Sequence, residues 1–221
     1  MNYFSKIKYH IAYLLKYASK YAIFKTIYWN IRLRLPYKYH MAVYPKSIID
    51  IHKNAKVDIK GCLKVNASHF NTRKRRYTSE LRILNGGGYI QRGDFRILQG
   101  AAIHIDKDAQ LIIHGNSYIN TNSTINCFHH IEIGAGCAIS DNVCIHDSDS
   151  HVMNGNKARM KAPVIIGNHV WICKNVTILK GVTIGDGAII GAGSIVSKSI
   201  PPRCLAVGNP ARVIRENVEW E

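Results

Sequence analysis

Hydrophobic positions in the second half of the chain recur every six residues. Ile166, Ile172, Ile178, Ile184, Ile190 and Val196 follow one another at that interval, and two residues before each stands Val164, Val170, Val176, Val182, Ala188 or Ser194. The same double series runs upstream through Ile113, Ile119, Ile125, Ile131, Cys137 and Val143, joined by Ile133, Ile139 and Ile145. It is interrupted once, between about Asp147 and Pro163, and weaker traces such as Ile103 with Ile105 and Ile49 with Ile51 carry it back toward residue 49. A period of six fits neither a helix nor an unbroken alternation; it demands a very short strand with two inward side chains, then a corner. Gly167-Asn168, Gly185-Asp186 and Gly134-Ala135-Gly136 supply corners. Three such units close a triangular coil of eighteen residues, and stacked coils pair at about 4.8 Å. The expected fold is all-β: a parallel β-helix over 47–200 with an excursion loop at 147–163 and a C-terminal tail over 201–221. Cys137 and Cys144 fall in the ladder region and read as small core side chains.

Residues 1–46 follow another pattern. Phe4, Ile7, Ile11, Leu14, Leu15, Ala18 and Ala22 fall on one side of a helical wheel, with Lys16 and Lys20 opposite, near a stripe of Tyr9, Tyr13, Tyr17 and Tyr21. This predicts a basic amphipathic helix, which either lies on an anionic membrane surface or docks its apolar side on the main domain. The segment holds nine of the 30 Lys and Arg residues and no acid; the first carboxylate is Asp50.

With 221 residues and 47% hydrophobic content the chain can build a core, which excludes wholesale disorder. A formal charge of +16 implies anionic partners without naming them. The six cysteines form no C-x-x-C and no disulfide framework, which fits a reducing, cytoplasmic setting. No apolar run is long enough to span a bilayer, and no uninterrupted secretory h-region stands at the N-terminus.

The run V-I-I-G-N-H-V-W-I-C-K-N-V-T-I-L-K-G-V-T-I-G-D-G-A-I-I-G-A-G-S-I-V-S-K-S-I-P-P, followed by V-G-N-P-A-R-V-I-R, resembles the hexapeptide-repeat acyltransferases. The likeness covers about residues 113–216 and is strongest to sugar O-acetyltransferases such as the galactoside and maltose enzymes. It implies a left-handed β-helix, a homotrimer with active sites between subunits, and acetyl-coenzyme A (acetyl-CoA) as acyl donor, with no metal.

The resemblance also implies residue roles. His151, at the head of the excursion loop, is the expected general base. Asn120 helps hold the acceptor hydroxyl, with Asn122 close by, and Asp147 and Asp149 are candidates for binding acceptor hydroxyls or fixing the His151 tautomer. The donor groove maps onto Trp171, Lys174, Ala192, Ser197, Lys198, Arg212 and Arg215; the cations among them suit the phosphates of coenzyme A. Where the galactoside and maltose enzymes carry acidic residues, this chain has Cys127-Phe128, then His129 and His130, so a different acceptor is expected. The expected reaction is O-acetylation of a sugar, in a bacterial surface polysaccharide or its lipid-linked precursor, by an enzyme peripheral to the inner face of the membrane.

Two other readings use different residues. His146 and His151, spaced H-x4-H, with His114 upstream, have the makings of a zinc site like that of β-helical carbonic anhydrases. The Arg73-Lys74-Arg75-Arg76 run suggests a non-enzymatic glycan- or nucleic-acid-binding protein, although no nucleic-acid motif accompanies it, and Gly86-Gly87-Gly88 lacks the Lys of a phosphate loop. No nucleic-acid partner is expected.

Overall fold

The computed structural model describes residues 20–36, 38, 40–68, 77–152 and 155–221, so the Arg73–Arg76 run and the helix expected before Lys20 lie outside the described residues. From His40 onward the chain winds as a three-faced parallel β-helix. Face I stacks His40–Val43, Cys62–Ala67, Phe95–Leu98, Ser117–Ile119, Ala138–Ile139, Trp171–Ile172, Ile189–Ile190 and Leu205–Gly208. Face II runs from Ser47–Ile51 to Ile195–Val196, and face III from Lys56–Ile59 to Thr183–Ile184. All pairings within the faces are parallel until Ala211–Arg215 folds back antiparallel on Leu205–Gly208 and closes the C-terminal end.

The two series read from the sequence point inward. Val164, Ile166, Val170, Ile172, Val176, Ile178, Val182, Ile184, Ala188, Ile190, Ser194 and Val196 are all buried. They stack in register: on face I, Ile97, Ile119, Ile139, Ile172 and Ile190 form one unbroken column. On face II, Ile103, Ile125, Ile145, Ile178 and Val196 form another.

The coils are not uniform. Trp171 pairs with Ile189, eighteen residues on, as the six-residue period requires. Arg96, however, pairs with Tyr118 and Glu80 with Ala102, each 22 residues on, and Tyr118 pairs with Ala138, twenty on. On faces II and III the early coils carry three inward positions, as in Ala101-Ile103-Ile105 and Ala109-Leu111-Ile113, while face I carries two, as in Phe95-Ile97; the late coils carry two on every face. Winding is also interrupted twice rather than once: residues 68–78 separate Cys62–Ala67 from Ser79–Ile83, in addition to the excursion between Cys144–His146 and Val164–Ile166.

The N-terminal boundary differs from expectation too. The solenoid begins at His40, inside the segment assigned to the appendage, and the helix Lys20–Arg32 is built onto it. His40–Val43 is an edge strand whose peptide groups would otherwise lie unpaired. Thr26 Oγ1 accepts from the Val43 N–H at 3.0 Å and reaches the Val43 carbonyl, while Asn30 accepts from the Met41 N–H at 3.0 Å and donates to its carbonyl at 2.7 Å. Lys25 Nζ and an Arg32 guanidinium nitrogen donate to the carbonyls of Ser47 and Ile51 on face II. Ala22 and Trp29 are buried by this docking, and Trp29 joins the core of the first coil. Of the two readings of the amphipathic helix, its described part docks. Among the described residues no helix is long and apolar enough to cross a membrane.

Candidate functional site

The edge between faces I and II gathers one group of the expected residues. Asn120 begins the corner after Ser117–Ile119, and Lys174 and Ala192 occupy the corresponding corners two and three coils later. The edge is held by residues in the left-handed region: Asn122, Asn142 and Asn175 have φ of 57°, 56° and 59°, and Gly193 continues the line at 74°. Short amide or absent side chains tolerate that conformation best. Asn142 also donates to Asn175 from the coil below at 3.1 Å. Asn122 is thus a corner residue in the same line, exposed at its tip.

Asn120 Oδ1 accepts from the Thr121 N–H at 2.8 Å. Its side chain lines a hollow of about 310 Å³ with Tyr77, Gln99, Thr121, Leu98 and Asp141. Asp141 in turn pairs with Lys174 at 3.3 Å, which joins the hollow to the next expected residue along the edge.

The edge between faces II and III holds the second group. The excursion leaves it as a short hairpin: Ser148 bridges Lys161, the Asp149 N–H donates to Met160 at 2.9 Å, and the Ala162 N–H donates to Asp147 at 3.0 Å. His151 stands just beyond this base, exposed, in a bend three residues after the Ser148–Lys161 bridge. Asp149 pairs with Lys180 at 3.1 Å from the coil beyond. Ser197 and Lys198 lie exposed on the same edge two coils later.

Asp147 does something other than expected. Its side chain is fully buried, and its oxygens accept from the N–H groups of Phe128 at 2.7 Å, His129 at 2.8 Å and His130 at 2.6 Å. With both oxygens turned inward to three backbone donors, this carboxylate fixes the preceding corner and presents no oxygen to an acceptor. It lies above Cys127, the last of three inward positions on its face, where the prism narrows. Burial first, then the Asp147 charge, pushes the Cys127 thiol far up. Lys161 donates to the Phe128 carbonyl at 2.8 Å, which ties the Cys127–His130 corner to the hairpin.

The remaining donor-groove residues are spread over the C-terminal end. Trp171 projects from face I, 39% exposed, with Trp220 of the tail 6.0 Å away. Trp220 itself stacks flat on His169 at 4.0 Å and donates to the His169 carbonyl. Arg212 and Arg215 are exposed on the closing strand. One chain therefore brings Asn120, Lys174 and Ala192 together along one edge and His151, Asp149, Ser197 and Lys198 along the next, with face II between them.

Cys144 is a residue the sequence reading misplaced. It lies between the inward Val143 and Ile145, so strand alternation turns it outward, where its Sγ sits 3.6 Å from His146 Nδ1. The His146 contact holds this thiol below its ordinary range and lifts the imidazole above its own. Cys137 does point inward, where burial raises its thiol to about 11. The alternation was visible in the sequence; the contact with His146, two residues on along the same side, follows from it. As for the zinc reading, His114 Nε2 is engaged by Glu132 at 2.7 Å and His146 by Cys144, and among the described residues no three His, Cys, Asp or Glu side chains are grouped so as to hold a metal ion.

Residues 163–198 match the family described as bacterial transferase hexapeptide (six repeats). A 24.8 kDa protein in the cps region of Klebsiella pneumoniae is 33% identical over 209 residues, covering 92% of this chain and 91% of its own length. Galactoside O-acetyltransferase of Escherichia coli K12 is 42% identical over 120 residues, which is 53% of this chain; the chain spans only 55% of that relative's length. Among solved structures, a polysialic acid O-acetyltransferase superimposes with a TM-score of 0.57 at 25% identity, over 83% of this chain and 90% of that one.

Proposed function

Since the chain belongs to the bacterial hexapeptide-repeat transferases, in the sugar O-acetyltransferase branch with its left-handed β-helix, we propose that it transfers an acetyl group from acetyl-CoA to a sugar hydroxyl. The observation that carries this reading is the placement of His151 on a hydrogen-bonded hairpin at one edge and of the Asn120 hollow at another. Two edges of one prism separated by a whole face do not make one site, but the edges of neighbouring copies do. The active unit is a homotrimer, with His151 of one subunit facing the Asn120 edge of the next.

In that arrangement Asn120 orients the acceptor hydroxyl and His151 takes its proton. The alkoxide adds to the thioester carbonyl, the tetrahedral intermediate collapses, and the thiolate of coenzyme A leaves with the proton held by the imidazolium. Lys198, Arg212 and Arg215 bind the donor's phosphates, Trp171 and Ser197 flank the groove, and Ala192 leaves room for the pantetheine arm. A backbone N–H near Lys174 supports the oxyanion. Asp149 and Asn122 border the acceptor, and the hollow holds about one sugar residue. The acceptor is a bacterial surface polysaccharide or its lipid-linked precursor, supported by the polysialic acid enzyme's likeness, and the protein works in the cytoplasm beside the inner membrane face.

Thiol release from acetyl-CoA against a panel of activated and lipid-linked sugars tests this. His151→Ala is expected to lower turnover by about 10²–10⁴-fold, and co-expression with Asn120→Ala is expected to restore part of it, because a mixed trimer contains one intact site. Full turnover in His151→Ala removes it as the base, and absence of restoration places both residues in one chain's site.

A further inference from the structure

The helix Lys20–Arg32 is apolar on two opposite sides. Ala22, Thr26 and Trp29 meet the first coil and are buried there. On the other side Phe24, Ile27, Tyr28 and Ile31 recur at i, i+3, i+4 and i+7, and they are 70%, 49%, 51% and 71% exposed. Four large apolar side chains in one stripe exceed the scattered hydrophobics an ordinary surface carries. The helix lies across the open edge of the first coil, so this stripe points away from the solenoid.

The neighbourhood of the stripe is entirely basic in sequence. Arg34 and Lys38 follow the helix on the surface, and no Asp or Glu precedes Asp50. We infer that the stripe is a docking surface for an anionic lipid membrane. The helix lies in the plane of the interface, with Phe24, Ile27 and Ile31 among the acyl chains, Tyr28 at the headgroups and the flanking cations on lipid phosphates. Charge decides the occupant: stripes from two copies would bring acid-free, basic segments together and repel, whereas an anionic bilayer supplies the opposite charge over a plane. The inference rests on the trimeric transferase reading only for its geometry, since parallel solenoids present all three stripes to one plane and bind it with avidity. The face differs from the one the sequence suggested: the side bearing Ala22 is covered by the solenoid, and the opposite side is open.

The test is sedimentation of the full chain with vesicles of one-third phosphatidylglycerol in phosphatidylcholine, and with phosphatidylcholine alone. The wild type is expected to pellet with the anionic vesicles only. Phe24→Ser with Ile31→Ser is expected to bind about tenfold more weakly, at unchanged elution volume and unchanged thiol release on a soluble acceptor. If thiol release is absent in the wild type while this vesicle pattern holds, the docking surface stands and the transferase reading falls. Equal pelleting of the double variant overturns the inference. So does a smaller elution size for that variant, which would put the stripe between copies, or failure of the wild type to pellet at low salt.

Discussion

The early and late coils of this solenoid are the same fold built at two widths. In the early coils, 22 residues complete a turn, with three inward side chains on faces II and III and two on face I; in the late ones eighteen suffice and two point inward on every face. The wider triangle admits residues the narrow one cannot hold. Tyr89, Phe95 and Met41 are fully buried there, and Tyr89 donates to Gln91 at 2.7 Å inside the core, while Gln91 donates to the Gly93 carbonyl at 2.6 Å. The narrow coils are filled almost wholly by Ile and Val, with Ala188 and Ser194 as the small members. A strict six-residue period is therefore a property of the narrow triangle, not of the β-helix in general. The change of width falls at the coils that carry Asn120 and His151, and Asp147 closes the third inward column where the prism narrows.

The largest effect is expected at that junction. Asp147→Ala leaves three part-buried N–H groups without their acceptor and should cost about 3–5 kcal/mol in urea unfolding, with loss of thiol release as the His151 hairpin loosens. Asp147→Asn should recover part of the stability, because one amide oxygen still accepts. If instead either variant unfolds like the wild type and changes only the acceptor KM, Asp147 binds substrate and the junction needs another explanation.

A smaller effect separates the two cores. Tyr89→Phe removes one hydroxyl from the wide core and leaves the Gln91 oxygen unsatisfied, so a loss of about 1–3 kcal/mol is expected, read as a lower urea midpoint at unchanged slope. Wild-type stability in that variant would mean the polar pair is incidental to the wide coils.

The smallest effect is on the outer face of the narrowing region and concerns reactivity. Cys144 is expected to be the first of the six thiols alkylated by iodoacetamide as pH is raised, because the imidazolium of His146 favours its thiolate. That attraction is present while His146 is protonated and fades as pH climbs through the raised imidazole value. In His146→Asn the alkylation midpoint should move up toward that of an ordinary thiol, followed by peptide mass mapping. Preferential labelling of Cys62 or Cys137 would contradict the environments described, since burial lifts both to about 11.

What could be read directly was whatever depends on a local period. The paired Ile and Val series named the inward positions of the late coils, because two inward residues and a corner repeat without change there. The early coils were legible only as traces, since a third inward residue on two of the three faces lengthens the repeat and the eleven residues 68–78 separate Cys62–Ala67 from Ser79–Ile83. Cys144 was misplaced by following the ladder's neighbourhood rather than its alternation, and Asp147 because a carboxylate in a polar loop reads as exposed until its partners at Phe128, His129 and His130 are known.

The sequence by itself determined that the chain stacks short parallel strands into a solenoid, where it leaves that winding after Asp147, and that its first segment is basic and aromatic. Those are consequences of residue order over a few positions. Only the tertiary structure decided which side of the helix Lys20–Arg32 is covered, which carboxylate is enclosed, and that His151 and Asn120 stand on different edges. Each of these depends on atoms brought together from coils tens of residues apart, and no local pattern encodes such a meeting.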